Sequence, residues 1–142
     1  MSERIVLDTN VLVSAMLVQG SMPDQVLGSV LAGRSRMVVD GRIMSEYRAV
    51  LSRPEFGFDP NRVDDVIAFL ERSEWIIADP LSLQLLDAGD LPFLEVAVAG
   101  GVDALVTGNK KHFVVAGGRI DVPVLSPREY IARLSGRTSR RG

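Results

Sequence analysis

The amino-acid sequence predicts an α/β protein with one domain built around a central, mainly parallel sheet. The first observation is that short apolar runs alternate with amphipathic helical patterns along the whole chain. The second is that 142 residues suffice for one core of ordinary size. The third is the composition, 46% apolar and 24% charged, which is typical of a folded globular protein.

Five short apolar runs predict the strands of the sheet. The first run ends at Asp8 and suits a buried strand. The last run contains Pro123, which lacks a backbone donor and therefore predicts an edge strand. In chain order, the predicted strands are 5–7, 37–39, 75–78, 104–106 and 122–125.

Helices are predicted where apolar residues recur at intervals of three and four. Pro23 suits the first turn of a helix that ends near Gly33. Pro92 is tolerated because the helix around it begins near Asp90. A capping-box pattern at Ser126 opens the last helix. The predicted helices cover 8–18, 23–33, 41–51, 60–73, 87–99 and a final segment from 126 onward.

We expect the domain to cover residues 1–135 and the segment 136–142 to be a basic, disordered tail, since it contains three arginines. A solvated end and a segment that contacts RNA or a partner are both open interpretations of that tail. No stretch approaches the roughly 20 apolar residues of a membrane span. The first residues also lack the basic and apolar regions of a secretion signal, so a cytoplasmic protein without a membrane segment is expected.

The composition restricts the chemistry that this chain can perform. It contains no cysteine, which excludes disulfides, thiolate zinc sites, iron–sulfur clusters and thiol nucleophiles. His112 is the single histidine, so a histidine-rich metal site is excluded within one chain and a serine–histidine–acid triad is disfavoured. Oxygen ligands would therefore hold any metal, which favours Mg²⁺ or Mn²⁺ over zinc. The net charge of −2 neither indicates nor excludes nucleic-acid binding.

Acidic and polar side chains collect near the ends of the predicted strands. In an open parallel sheet, ligands bind at the carboxyl ends of the strands. The residues expected at that edge are Asp8, Asp40, Glu46, Asp87, Asp90 and Asn109. Carboxylates gathered there repel one another unless a cation lies between them. A divalent ion would also activate water and neutralise charge on a phosphoryl oxygen, the two effects that phosphodiester hydrolysis needs.

Each of these acidic residues also has a simpler structural explanation. Asp8 could cap the helix that follows it, because aspartate is a favoured N-cap residue. Glu46 could be a solvated helix residue, and Asp90 could mark the start of a helix. Asp40 and Asp87 could be turn residues. Taken singly, none of these positions identifies a metal site.

Four sequence blocks occur in the order found in the PIN-domain nucleases. They are 6–15 (VLDTNVLVSA), 45–51 (SEYRAVL), 90–97 (DLPFLEVA) and 104–113 (ALVTGNKKHF). From Ile5 to about Leu134 the chain resembles this family, and in particular the bacterial PIN-family toxins of toxin–antitoxin systems. The resemblance implies a three-layer, flavodoxin-like α/β/α sandwich whose acids bind Mg²⁺ or Mn²⁺ and cleave single-stranded RNA. It also implies a cognate antitoxin that occupies the site, and a homodimer.

Residue by residue, the resemblance implies that Asp8, Glu46 and Asp90 are the catalytic metal ligands. Supporting hydrogen bonds would orient Asp8 or a water molecule on the metal. The residues implied in these supporting roles are Thr9, Asn10, Thr107 and Asn109.

The chain departs from the family pattern at the fourth acidic position. Many relatives place an aspartate where this sequence has Asn109, or three residues later, where it has His112. Asn109 can offer a carbonyl oxygen but no negative charge, which leaves open a weaker metal site or a different second-metal arrangement. Asp87 and Asp103 could substitute in part, although Asp103 precedes its strand and is expected at the wrong end of the sheet.

The function expected is hydrolysis of RNA by metal-activated water, which leaves 5′-phosphate and 3′-hydroxyl ends. Lys110, Lys111 and Arg42 would steer the RNA backbone toward the acidic site, although the segment 110–113 could instead be a polar helix start. Two alternatives stay open. One is a weakened PIN protein that binds RNA or an antitoxin and barely cleaves. The other is a receiver-like or phosphatase-like domain that uses Asp8 as a nucleophile.

Overall fold

The computed structural model describes residues 2–82, 85, 87–114 and 120–141, the last five of them by their backbone alone. Its centre is a five-stranded sheet in the order β3-β2-β1-β4-β5. All four strand pairs are parallel, and Ile5 at the centre pairs with both Met37 and Ala104. The strands are β1 (Glu3–Leu7), β2 (Ser35–Val39), β3 (Glu74–Trp75), β4 (Ala104–Val106) and β5 (Val124–Leu125).

Helices cover both faces of this sheet. The helices are α1 (Thr9–Leu17), α2 (Met22–Leu31), α3 (Gly41–Leu51), α4 (Pro60–Leu70), α5 (Leu91–Gly100) and α6 (Pro127–Arg141). The chain moves from β1 to β3 in one direction and then returns past β1 to β4. Because parallel crossovers are right-handed, α1 to α4 lie on one face and α5 lies on the other. The α6 helix packs against α2, which completes the predicted three-layer α/β/α sandwich.

The strand order reverses between β1 and β4, and this reversal locates the site. In doubly wound sheets, the crevice outside the carboxyl ends of two such strands is the usual place for a ligand. The observed order differs from the 2-1-3-4-5 order of flavodoxin. The expected likeness to flavodoxin therefore holds for the three layers and the parallel sheet, but not for the order of the strands.

The central strands are buried on both faces, as their continuous apolar sequences predict. Every residue of β4 and the last three residues of β1 are fully buried. The apolar stripes of α2 and α4 also face the core, where Val26, Val30, Val63 and Ile67 are buried. Packing within one chain explains these stripes, so they are not evidence for a dimer interface. The expected homodimer stays a prediction.

The third strand was predicted at 75–78, and this prediction is wrong for most of its length. Only Glu74 and Trp75 pair with β2, and one further bond runs from Ile76 N to Val39 O at 3.0 Å. The reason is that β2 ends at Val39, where the chain turns into α3, so Ile77 has no strand to pair with. Ile77 is 98% exposed as a result.

The final helix extends further than the sequence indicated. The capping box is confirmed, since Ser126 and Glu129 exchange bonds of 2.8 Å and 3.1 Å. The backbone stays helical to Arg141, where a disordered tail was expected from residue 136. A single glycine, Gly136, costs a helix only about 1 kcal/mol, which does not end it. That the segment 136–142 stands apart from the domain remains a prediction. Among the described residues, no helix is long and apolar enough to cross a membrane.

A chain of buried hydroxyl groups fastens α6 to the sheet at the amino ends of the strands. Ser29 Oγ donates to Val26 O at 2.6 Å, so its hydrogen is already used. Ser35 Oγ, 2.8 Å away, must therefore donate to Ser29. Tyr130 must then donate to Ser35 across 2.5 Å. Burial raises the pKa of Tyr130 to about 12, which keeps this donor protonated.

We predict that Tyr130→Phe destabilises the domain by about 1–3 kcal/mol, because it removes the donor that satisfies the buried Ser35 oxygen. Urea denaturation at pH 7 would measure the change in the free energy of unfolding. Ser45→Ala, at an exposed position of α3, serves as the control and should leave the urea midpoint close to that of the wild type. An unchanged midpoint in Tyr130→Phe would show that the hydroxyl chain does not hold α6.

Candidate metal centre

Asp8 occupies the crevice at which the strand order reverses. It follows β1 directly, and its backbone N–H donates to Val106 O at 2.9 Å. The Thr107 hydroxyl, at the end of β4, donates to Asp8 Oδ2 at 2.7 Å. The Asp8 carboxylate does not cap α1, and the residue is only 5% exposed. The simpler explanation of Asp8 as a helix cap is therefore not supported. Thr107 makes a hydrogen bond to Asp8, and its role in catalysis stays a prediction.

Glu46 approaches the same crevice from α3. Asp40 caps this helix by accepting from Ile43 N at 3.0 Å, so Asp40 is a structural residue, as its simpler explanation held. The hydroxyl of the buried Tyr47 donates to Leu7 O and fastens α3 to the end of β1. Glu46, the preceding residue of α3, accepts a hydrogen bond from the Thr9 hydroxyl near the same strand end.

Two residues near the start of α1 support other groups than Asp8. The Thr9 hydroxyl donates to the Glu46 carboxylate, whereas the family resemblance suggested that Thr9 would orient Asp8 or a water molecule on the metal. Asn10 Oδ1 accepts from Gly108 N at 3.2 Å and so joins the turn after β1 to the turn after β4. The first turn of α1 thus binds both α3 and the turn that follows β4.

Asp90 ends a short 3₁₀ helix, Ala88–Asp90, that leads into α5. Its Oδ2 lies 3.1 Å from Nδ1 of His112, which belongs to the 3₁₀ helix Lys110–Phe113. His112 was interpreted from the sequence as part of a polar helix start or of a basic edge, and its contact with Asp90 was not foreseen. Asp87 accepts from Gly89 N at 2.8 Å and is a turn residue.

The three acidic side chains affect one another electrostatically. Burial raises the pKa of Asp8 to about 6, against the opposing hydrogen bond from Thr107, and the charges of Asp90 and Glu46 raise it further. Burial also raises the pKa of Asp90, with Asp87 and Glu46 acting in the same direction and His112 opposing them. Since Asp90 and Glu46 both raise the pKa of Asp8, the three carboxylates are close enough to repel one another. A cation between them would relieve this repulsion.

The available donors fit a hard divalent cation, because the three acidic side chains offer only oxygen. Within the ranges that the structure describes, no three acidic or histidine side chains are arranged as a ready-made metal site. Mg²⁺ commonly keeps several waters and binds through one or two carboxylates, so a complete protein cage is not required. The residues therefore suit a partly hydrated ion held by a few carboxylate oxygens.

The residues expected to contact RNA differ in whether they already pair with a carboxylate of the protein. Lys110 Nζ lies 2.9 Å from Glu129 Oε1, and Arg42 binds carboxylates of its own chain. Lys111 is exposed and precedes His112 in the sequence. The Asn109 side chain is also exposed, and its backbone N–H donates to Thr107 Oγ1 at 3.0 Å. Their roles in binding RNA or metal stay predictions.

Sequence reasoning missed Tyr47 and Glu95. Tyr47 lies in the sequence block 45–51 (SEYRAVL), and the signal available was that a buried phenol needs a hydrogen-bond partner. Glu95 lies among apolar residues of α5 and is only 4% exposed; an acidic residue inside an apolar helix was the signal there. Asp103 was correctly expected at the far end of the sheet, where its Oδ2 accepts from Arg4 N at 2.9 Å.

Comparison with known proteins gives a family match and a structural match. The model of the PIN domain family matches residues 4–111. Among solved structures, the chain is similar to a chain of VapBC2 from Rickettsia felis, crystallised with a DNA fragment from their promoter. The TM-score is 0.54 and the identity 17%, over 87% of this chain and 98% of that one, which is a likeness of fold. No curated protein sequence matches.

The raised pKa of Asp8 predicts that its carboxylate destabilises the metal-free domain at neutral pH. The pKa is about 6 in the folded protein and about 3.9 in an unfolded chain. Because the folded state holds the proton more tightly, the stability gained from it is fully present below about pH 4 and is lost as the pH rises through 6. In EDTA, Asp8→Asn should therefore raise the free energy of unfolding by about 2–3 kcal/mol at pH 8.

Urea denaturation at pH 8 and near pH 4 would test this pH dependence. Near pH 4 the variant and the wild type should be about equally stable, since asparagine resembles the neutral acid. Equal stability at pH 8 would contradict the raised pKa. Added Mn²⁺ should stabilise the wild type more than the variant, because an ion that binds only the folded state stabilises it.

Proposed function

Since this chain belongs to the PIN domain family, we propose that it is a metal-dependent ribonuclease that cleaves single-stranded RNA. The observation that carries the proposal is that the charges of Glu46 and Asp90 both raise the pKa of Asp8. Asp8 lies where the strand order reverses. All three acids lie within the segment matched by the family, 4–111. PIN domains are typically nucleases and generally use divalent metal ions, which supports this chemistry.

In the proposed site, Asp8 and Asp90 hold a Mg²⁺ or Mn²⁺ ion, and Glu46 binds it or positions water. When bound, the ion would activate water for attack on phosphorus and neutralise charge on the phosphoryl oxygens. Each carboxylate has a partner that fixes its orientation: Thr107 for Asp8, Thr9 for Glu46 and His112 for Asp90. Hydrolysis in this manner leaves a 5′-phosphate and a 3′-hydroxyl.

We further propose that the protein is the toxin of a toxin–antitoxin pair and acts in the cytoplasm. The similarity in fold to a chain of VapBC2 supports this role. A cognate antitoxin is then the protein partner, and RNA is the substrate. Lys111, which is exposed next to His112, is available to contact the RNA backbone.

The two alternatives fare differently. The weakened nuclease stays open, because Asn109 is uncharged at a position where the family resemblance implies an aspartate. The receiver-like or phosphatase-like domain is disfavoured by the strand order, which differs from the 2-1-3-4-5 order of receiver-type sheets. The burial of Asp8 also limits the access that a nucleophile needs.

We predict that Asp8→Asn lowers cleavage of a mixed single-stranded RNA pool by at least about 100-fold, because it removes charge at the centre of the site. Cleavage would be followed on gels with Mn²⁺, Mg²⁺ or EDTA, and it should require the metal. Asp65→Asn, at an exposed position of α4, is the matched control and should cleave like the wild type. Undiminished cleavage by a clean Asp8→Asn preparation, or full cleavage in EDTA, would contradict the proposal.

We predict that Asn109→Asp strengthens Mn²⁺ binding roughly tenfold, since affinity for hard cations rises with the charge of the ligands. Isothermal titration calorimetry would measure the binding, with Asn61→Asp on the exposed start of α4 as the control. An increase in cleavage along with affinity would identify the native site as weakened. An unchanged affinity would place the Asn109 side chain outside the shell of the ion and remove the motive for the weakened site.

A further inference from the structure

An ion pair between the half-exposed Arg42 and the buried Glu95 connects α3, which carries Glu46, to α5, which directly follows Asp90. Arg42 Nη1 lies 2.6 Å from Glu95 Oε1, across 53 residues of sequence. Arg42 is in the first turn of α3, four residues before Glu46. Glu95 is in α5, five residues after Asp90. The pair therefore ties together the two elements on which the position of these carboxylates depends.

Both partners of this pair make further bonds. Arg42 also binds Asp40, with Nε at 2.9 Å and Nη2 at 2.8 Å from Oδ2. The other oxygen of Glu95, Oε2, accepts from Leu81 N at 2.7 Å. The network thus joins the end of β2, the start of α3, the segment around Leu81 and α5. A planar guanidinium suits such a bridge, because it directs several donors in fixed directions.

The burial of Glu95 means that its carboxylate needs a partner. Glu95 is 4% exposed, and a buried carboxylate without a partner is costly. The Arg42 donors that bind Glu95 and Asp40 face protein carboxylates, so they are not presented to a phosphate group. That Arg42 steers RNA is a separate prediction, which the variants below also test.

We infer that Arg42 and Glu95 are positioning residues for the acidic site. Their ion pair sets the separation of α3 and α5, and with it the placement of Glu46 relative to Asp90. The rings of Tyr47 and Phe93, with centroids 6.3 Å apart, pack between the same two helices. That the positioned carboxylates serve a metal rests on the proposed function.

The test compares Arg42→Gln, Glu95→Gln and the double variant with a matched pair on the same helix. Arg48, also on α3, pairs with Glu71, and both side chains are largely exposed at 61% and 47%. Arg48→Gln and Glu71→Gln therefore remove an arginine–glutamate contact away from the acidic residues. The measurements are the thermal midpoint in EDTA, the Kd for Mn²⁺ by calorimetry, and kcat and KM for RNA cleavage.

We expect Arg42→Gln to lower the thermal midpoint in EDTA by roughly 5–10 °C, because it leaves the Glu95 charge buried and unpaired. The double variant should be more stable than Arg42→Gln, since it removes that charge. Both single variants should weaken Mn²⁺ binding about tenfold or more and lower kcat. Arg42→Lys should recover part of the affinity, and the Arg48 and Glu71 controls should match the wild type.

Glu95→Gln is the decisive variant, because it keeps the size of the side chain and introduces no unpaired buried charge. If Arg42 were an RNA contact, Arg42→Gln would raise KM alone and Glu95→Gln would leave both kcat and Mn²⁺ binding unchanged. That result, or Mn²⁺ binding of wild-type strength in Glu95→Gln, would overturn the inference. The decision rests on Glu95→Gln even if Arg42→Gln does not fold.

The same measurements separate this inference from the proposed function. A wild type that binds Mn²⁺ but cleaves no RNA would contradict the ribonuclease, while weakened Mn²⁺ binding in Glu95→Gln would still support positioning. A wild type that binds no Mn²⁺ would overturn both.

Discussion

The burial of the Asp8 carboxylate between the ends of β1 and β4 is the constraint on which the rest of the site depends. These strands are neighbours because the chain returns past β1 after β3, so the crevice between them follows from the topology. At neutral pH a group whose pKa is about 6 is mostly ionised, and little solvent reaches it. The fold thus places a negative charge where its own packing does not neutralise it, and a cation would supply that neutralisation.

The residues that bind Asp8 and Glu46 orient these carboxylates without cancelling their charge. The Thr107 hydroxyl donates a hydrogen bond to Asp8, and the Thr9 hydroxyl donates one to Glu46. In the part of the chain that the structure describes, the nearby cations Arg42 and Lys110 pair with other carboxylates instead. Arg42 thereby links α3 to α5, and the acidic crevice keeps the negative charge that a metal ion requires.

Simple rules predicted the parallel sheet and the edge at which Asp8 lies, because the carboxyl ends of parallel strands meet there. The contact of Asp8 with Thr107 was suggested by the family resemblance and not by these rules. The contacts of Arg42 with Glu95 and of His112 with Asp90 were not predictable in this way. They depend on how helices and turns far apart in sequence pack together, which no local pattern records. The predicted length of β3 was wrong for a similar reason, because the end of the neighbouring strand β2 limits how far β3 can pair.

The central claim is that these carboxylates hold one divalent ion where the strand order reverses. It is tested most directly by a crystal structure of the protein grown with Mn²⁺, in which anomalous scattering locates the ion. The account predicts a peak within coordination distance of Asp8 and Asp90 oxygens, with Glu46 bound directly or through water. A crevice without a peak under saturating Mn²⁺, or an ion held only by other residues, would contradict it.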